Sequence, residues 1–323
     1  MTPVAVSPLL WAGFILLIVA LLTIDLVVVH RKDEVISTRE AIRWTIAWIG
    51  LALLFDGWIW WEFGSGKALE FITGYLIEES LSVDNLFVFI LLFNAFAVPV
   101  IYQHRVLFWG ILTAIVLRAG MIVGGTALIT RFGWLIYVFG AFLVVTGVRL
   151  ALRKEEEEEP HPEKSWAFRT LRRIIPSTSA YHGHAFLVRE GARWVATPLF
   201  LALAMIEVSD VVFALDSIPA IFGVTLDPFI VFTSNIFAIL GLRSLFFVVA
   251  RMMDRFAYLE YGLSAVLVFI GGKMLASRWV HVPALVSLAV VVLLLGAAIG
   301  ISLWRSRRDV PEAEAIVPAA KKE

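Results

Sequence analysis

GYLIEESLSVDNLFVFILLF, residues 74–93, decides how this chain is read. It is one of a series of apolar runs of about 20 residues, each long enough to cross the ~30 Å hydrocarbon layer of a bilayer. It also carries three acids, Glu78, Glu79 and Asp84. A charged side chain at mid-bilayer costs roughly 2.5–3.5 kcal/mol even on the lenient insertion scale. Acids placed there need partners, and finding those partners is the way into the function.

Around this segment the composition is that of a membrane protein. The 323 residues are 60% apolar and only 17% charged, where a soluble domain is about a quarter charged. So many long apolar runs cannot be hidden in one soluble core. Spans are expected at 8–29, 41–62, 69–93, 104–126, 132–151, 197–221, 228–249, 258–276 and 282–304, an all-α polytopic bundle of about nine transmembrane helices. Met1 to Val29 has no positively charged leader and runs into a span too long for a signal peptide, so it reads as a retained first span. Acids and bases balance, and there is no cysteine. That removes disulfides, thiolate metal sites and thiol redox chemistry.

Basic residues give the orientation. Arg31, Lys32, Arg39 and Arg43, then Arg105, nine residues from Arg149 to Arg193, Arg251 and Arg255, and five in the tail fall on one side. Lys67, Arg131 and Arg278 fall on the other, and Arg118, Arg243 and Lys273 within spans. The bias puts the N-terminus outside and the C-terminus in the cytoplasm. The expected divisions are two N-terminal helices (1–66), a first three-helix unit (67–152), a cytoplasmic loop (153–196), a second three-helix unit (197–277), a last helix (278–304) and a cytoplasmic tail (305–323). In the loop, Glu155 to Glu159 with Pro160 and Pro162 read as a solvated linker. Residues 165–175 alternate basic and apolar residues in a way that suits an anionic leaflet, and 184–196 suit a short hairpin. Trp58, Trp60 and Trp61 read as an interfacial belt.

The two three-helix units echo each other. Glu78-x5-Asp84-Asn85-Leu86 matches Asp210-x5-Asp216-Ser217-Ile218, and Leu117-Arg118-Ala119 matches Leu242-Arg243-Ser244. Tyr137 with Ala141-x-Leu143-Val144-x-x-Gly147-x-Arg149 matches Tyr261 with Ala265-x-Leu267-Val268-x-x-Gly271-x-Lys273. Three spans is an odd number, so the copies should lie oppositely in the bilayer. Inverted repeats of this kind place a substrate site near the midplane where equivalent helices meet.

Six acids fall inside two spans: Glu78, Glu79 and Asp84 in the third, and Glu207, Asp210 and Asp216 in the sixth. Unpaired, they would cost on the order of 15–20 kcal/mol. Arg118 and Arg243 cannot neutralise them all, and a divalent cation plus one or two protons fits the balance. Residues six apart on a helix differ by about 120° in facing and about 9 Å in rise, so Glu78 and Asp84 cannot ligate one ion from a straight helix. Asp84 and Asp216 are the expected central pair, flanked by Glu78 and Asp210. Ser82, Asn85, Ser209 and Ser217 are expected as neutral oxygen donors. Pro219 should free backbone oxygens near Asp216. All-oxygen ligands suit manganese, magnesium or calcium; Met205 reads as packing. The plainer alternative is an ion-paired helix interface built on Arg118 and Arg243, with no transport.

The stretches GYLIEESLSVDNLFVF at 74–89, VPVIYQHRVLFWGIL at 98–112 and DSIPAIFGVTLDPFIVFTSNIFAILGLRSLFF at 216–247 resemble the bacterial TerC family, named for tellurium resistance. The likeness runs from Asp25 to the ninth span. The resemblance implies an inner-membrane protein of a cation-exporter superfamily, with Mn²⁺ efflux as the activity and Glu78, Asp84, Glu207, Asp210 and Asp216 as metal ligands. Tellurite is an oxyanion and suits an acidic pocket poorly, so any tellurite resistance would be indirect. The five-glutamate loop departs from the family motif. The competing expectation is a non-transporting scaffold in a tellurite or stress-response complex. No paired His/Glu zinc motif and no serine nucleophile with a base is present, so enzyme chemistry is not expected. Neither is an organic cofactor or a nucleic-acid partner. The expected partners are the metal ion and the bilayer, and nothing in the residues supports an oligomer.

Overall fold

The structure, a computed structural model, describes residues 6–29, 37–152, 175–178, 180–190, 193–250, 259–280 and 282–308, with Thr170 and Arg173. Within these, the side chains of residues 25–29, 84, 87, 216, 259, 303 and 306–308 are not described. The acidic run Glu155 to Glu159 and most of 165–175 therefore lie outside the described residues.

Nine helices follow one another among the described residues: α1 (Pro8–Val29), α2 (Thr38–Phe63), α3 (Ser65–Ala95), α4 (Val100–Arg131), α5 (Leu135–Leu152), α6 (Pro198–Phe222), α7 (Pro228–Val249), α8 (Leu259–Ala276) and α9 (Ala284–Arg308). Six of them, α2, α4, α5, α6, α7 and α9, are long and apolar enough to cross a membrane. The third, α3, has the length at 31 residues but carries Lys67, Glu70, Glu78, Glu79 and Asp84. Several helices outrun the apolar windows expected for them; α4 begins at Val100 and ends at Arg131. Backbone hydrogen bonding does not stop where the apolar side chains do.

Local chemistry sets the ends. Ser37 caps α2 by accepting from the Glu40 amide at 3.3 Å, with the Ser-x-x-Glu spacing of a capping box. Gly64, at φ +85°, joins α2 to α3 in a single residue, a conformation that glycine adopts without Cβ strain. Asp227 caps α7, accepting from the amides of Phe229 (3.1 Å) and Ile230 (3.4 Å), and Pro228 occupies the first helical position, where no amide partner is lost. The helix α6 runs unbroken through Pro219 to Phe222, so the expected break near Asp216 is absent. Pro219 has no N–H to donate to the Leu215 carbonyl, the oxygen expected to be freed near Asp216, but the helix continues past it to Phe222.

The buried centre is α7, which packs on α2, α3 and α4. Rings from α1, α2, α3 and α7 lock together there: Phe55 lies 4.7 Å from Phe237 and 5.6 Å from Phe71, and Phe14 lies 5.5 Å from Phe55. The first two helices are thus fastened to the bundle through aromatic side chains. Between α5 and α6, strands β1 (Leu187–Glu190) and β2 (Arg193–Ala196) pair antiparallel, Leu187 opposite Ala196, within the stretch expected to form a hairpin. Tyr181 donates to the Phe96 carbonyl, and Arg105 lies over the Phe186 ring, which ties this segment to the α3–α4 turn.

The most extensive helix pair among the described residues is α5 on α8. A Cβ at Gly140 would lie 2.9 Å from the Gly271 carbonyl oxygen, and one at Gly271 only 2.5 Å from the Gly140 carbonyl oxygen. Seven residues along, Gly147 faces the Ser264 carbonyl at 2.8 Å, and the Ser264 hydroxyl donates to the Gly147 carbonyl at 2.6 Å. As the α5 number rises the α8 number falls, so the helices are antiparallel. In the register of the sequence repeat Gly147 corresponds to Gly271 and Gly140 to Ser264. The two contacts are therefore reciprocal, as across a two-fold axis. The remaining pairs follow the same pattern, α3 on α7 and α6 on α4. Small residues allow this approach, which is how packing holds helices together where lipid removes the hydrophobic drive.

Gly271→Ala should cost about 1–3 kcal/mol, because the neighbour that must move is backbone. Gly272, with nothing within 4 Å of a Cβ, should tolerate alanine or gain slightly from helix propensity. Thermal unfolding in detergent checks the pair, and equal behaviour of the two variants would refute the contact.

Candidate functional site

Four helices aim polar side chains at one point in the apolar interior. Arg118 on α4 is fully buried, as is Glu78 on α3; Asp210 on α6 is 3% exposed, and Ser217 and Asn235 are buried beside them. The Arg118 guanidinium grips Asp210 as a fork, Nη2 to Oδ1 at 2.9 Å and Nε to Oδ2 at 3.3 Å. Its Nη1 donates to Glu78 Oε1, and reaches Ser217 Oγ at 3.5 Å and Asn235 Oδ1 at 3.4 Å. Asn235 Nδ2 then donates to Glu78 Oε2 at 2.9 Å. Glu78 and Asp210 are the residues matched in the sequence comparison of the two three-helix units, and one arginine bonds both. Two acids against one base leave the cluster one negative charge in excess.

Next to it lies a second acidic position. Glu207 is three residues before Asp210 on α6, hence on the same helix face. Both of its carboxyl oxygens are buried without a hydrogen-bond partner. They border a cavity of about 10 Å³ lined by Leu107, Gly110, Ile111, Asp210 and Arg243 among others, room for roughly one water-sized sphere. A Cβ at Gly110 would lie 3.6 Å from Glu207 Oε1, so the missing side chain on α4 is what makes the space. A buried carboxyl group left without donors is costly, and a cation with oxygen ligands is one way to satisfy it.

On α3, Glu78, Ser82 and Asn85 follow helical spacing and all are buried; the Ser82 hydroxyl has no partner. Phe89, next on that face, borders the Glu207 cavity. Ser209 turns its hydroxyl back to the Met205 carbonyl at 2.9 Å, and Met205 is packed in the apolar core. The side chains of Asp84 and Asp216, expected as the central pair, lie outside the described residues, although their backbones are helical. Among the described residues no three acids or histidines converge in a metal-holding group. His182 and His184 are exposed.

Two features escaped the sequence reading. Asn235 holds Glu78, yet its counterpart in the first unit is Gly110; a comparison that weighs matched polar positions passes over it. At one end of the bundle, Lys67 bridges Glu70 (2.9 Å) and Asp227 (3.1 Å), and the Thr225 hydroxyl donates to Glu70 at 2.6 Å. Glu70 has no acidic counterpart either, since residue 202 is an alanine.

Arg118→Met should destabilise the protein by about 3–5 kcal/mol, because it strands two buried carboxylates. Adding Glu78→Gln and Asp210→Asn should recover most of that loss. Thermal unfolding of the single and triple variants reads the difference; identical stabilities would mean that the arginine is not what holds these acids.

Comparison with known proteins agrees on a family. The profile described as "Integral membrane protein TerC family" matches residues 63–310. A Myxococcus xanthus protein named "Uncharacterized membrane protein STKORF319" is 56% identical over 312 residues, covering 97% of each chain. A Salmonella typhi protein named "Putative membrane-bound redox modulator Alx" is 49% identical over 309 residues, covering 92% of this chain and 95% of its own. The protein of that name from Escherichia coli K12 is 46% identical over 313 residues, covering 94% and 96%. No solved structure matches. With a profile spanning most of its length and relatives aligned nearly end to end, this chain belongs to the TerC family of integral membrane proteins.

Proposed function

We propose that this protein carries divalent metal cations across the bacterial inner membrane, exporting Mn²⁺ from the cytoplasm with protons as the coupling ion. The observation that carries the reading is Glu207, whose two buried carboxyl oxygens have no partner beside a small cavity shared with Asp210 and Arg243. Glu78 and Asp210 are held by Arg118, so they shape the field around the cargo while Glu207, Asp84 and Asp216 meet it. The donors are hard oxygens, which suit Mn²⁺, Mg²⁺ or Ca²⁺.

In this reading the chain crosses nine times, N-terminus outside and C-terminus in the cytoplasm. Its two three-helix units form an inverted repeat that rocks about the α5–α8 contact. The reciprocal glycine pairing of these helices supports that arrangement, as does the attachment of both acidic helices to one arginine. Binding and release of the cargo involve no covalent chemistry, so no catalytic residue and no organic cofactor is assigned.

The second reading is a non-transporting partner in a stress response, favoured by the names of the Salmonella and Escherichia relatives. Any redox role would be exerted without a thiol of this chain, which has no cysteine.

In Mn²⁺-loaded vesicles, Asp84→Asn, Asp216→Asn and Glu207→Gln should each abolish efflux while the protein still inserts. Purified wild-type protein should be stabilised by Mn²⁺, by about 2.7 kcal/mol at a hundred times Kd, and the variants should not. Normal efflux from all three variants, or loss of function only on deleting 155–190, would favour the second reading.

A further inference from the structure

Glu79 adjoins Glu78 in sequence but serves a different part of the molecule. It borders a cleft of about 440 Å³ lined by side chains from α2, α3, α7 and α9. Its Oε2 is buried and has no hydrogen-bond partner. The walls are aliphatic, with Leu245, Val248, Val292 and Leu295 among them, and the other polar groups in the lining are the hydroxyls of Thr45 and Ser80. Both hydroxyl hydrogens are already committed to their own helices, Thr45 to the Ala41 carbonyl at 2.9 Å and Ser80 to the Leu76 carbonyl at 2.6 Å. What these two side chains still offer is lone pairs. The volume falls in the range of roughly 300–1,000 Å³ typical of pockets for small organic ligands.

We infer that this cleft binds a lipid-soluble molecule with an apolar body and a neutral hydroxyl head, with its hydroxyl on Glu79. Depth selects against the alternatives. Glu79 is the fifteenth of the 31 residues of α3, about 20 Å from either end at 1.5 Å per residue. A phospholipid headgroup at the interface does not reach it, and an ammonium brought to that depth exchanges its hydration for one carboxyl group and two hydroxyl oxygens between aliphatic walls, a desolvation that pairing offsets only in part. A neutral hydroxyl carries no such cost. It donates to a carboxylate and both donates to and accepts from a carboxylic acid, so it satisfies Glu79 in either protonation state. It also finds acceptors in Thr45 and Ser80. The proposal is one of binding only and is independent of the metal reading, since the cleft shares no described lining residue with the Glu207 cavity.

The probe is a decyl-substituted hydroquinone, added to the full-length protein in phosphatidylcholine nanodiscs and measured as retention above protein-free discs. Two variants report on the cleft from different sides. Glu79→Leu removes the acceptor, and losing a buried charged-group hydrogen bond should weaken retention about tenfold. Gly296→Leu fills the cleft while leaving Glu79 in place; a Cβ there meets nothing within 4 Å, so the backbone accepts it and the ligand is displaced. The corresponding quinone, which has no hydroxyl hydrogens, should be retained several-fold less. Saturable retention near one per chain, reduced in both variants and for the quinone, is the expected result. Retention no greater than in protein-free discs, equal retention by wild type and Gly296→Leu, or a second copy of the chain cross-linking across the cleft would overturn the proposal. Mn²⁺ stabilisation should be unchanged in Gly296→Leu, which keeps this outcome separate from that of the transport reading.

Discussion

One guanidinium organises the interior. Arg118 is fully buried and makes hydrogen bonds to α3, α6 and α7 at once. Buried ion pairs do not in general add much net stability, because desolvation offsets the attraction. What they do impose is position: each acid left without its base would cost several kcal/mol, so the helices that carry them have one low-energy relation to each other. The bidentate grip on Asp210 strengthens this, since a planar fork fixes direction as well as distance. Much of the relative placement of α3, α4, α6 and α7 follows from satisfying that single side chain.

The sequence match between the two three-helix units is followed by the contacts at α5–α8 and not at the polar centre. The α5–α8 contact is reciprocal, glycine against glycine and glycine against serine. Around Arg118 the equivalence fails at specific positions. Asn235 on α7 supplies an amide to Glu78, while its counterpart Gly110 on α4 supplies nothing and leaves room beside Glu207. Glu78 thus draws donors from two helices while Asp210 draws both of its own from Arg118, and the cavity lies on the Asp210 side.

How much of this the residues disclosed depends on whether a signal is local or shared. Helix positions were legible because long apolar runs repeat and turn residues punctuate them: Pro198 and Pro228 open helices, Gly64 closes one. The acidic helices were legible because charge in an apolar run is expensive and stands out. The partners were not. Arg118 shows no preference in sequence between Glu78, Asp84, Asp210 and Asp216, and among the described side chains packing brings it to Glu78 and Asp210. Pro219 looked like a helix break, yet α6 continues past it to Phe222. Asn235 and Glu70 carried no paired signal at all, since their counterparts are Gly110 and Ala202.

That selection bears on how a membrane interior holds more acids than bases. Arg118 removes Glu78 and Asp210 from the set that must find another partner, and by fixing them it sets the field at their neighbours. Glu207, on the same face of α6 as Asp210, then has two carboxyl oxygens without a hydrogen-bond partner, in a mostly apolar cavity that it shares with Asp210 and Arg243. Hydrocarbon offers it nothing, and moving it to lipid would cost more. A group held in that state by its surroundings gains from any cation or proton that arrives, and the gain grows with every acid nearby that is already committed elsewhere. The arginine that fixes these helices is therefore also what leaves Glu207 to find a partner of its own.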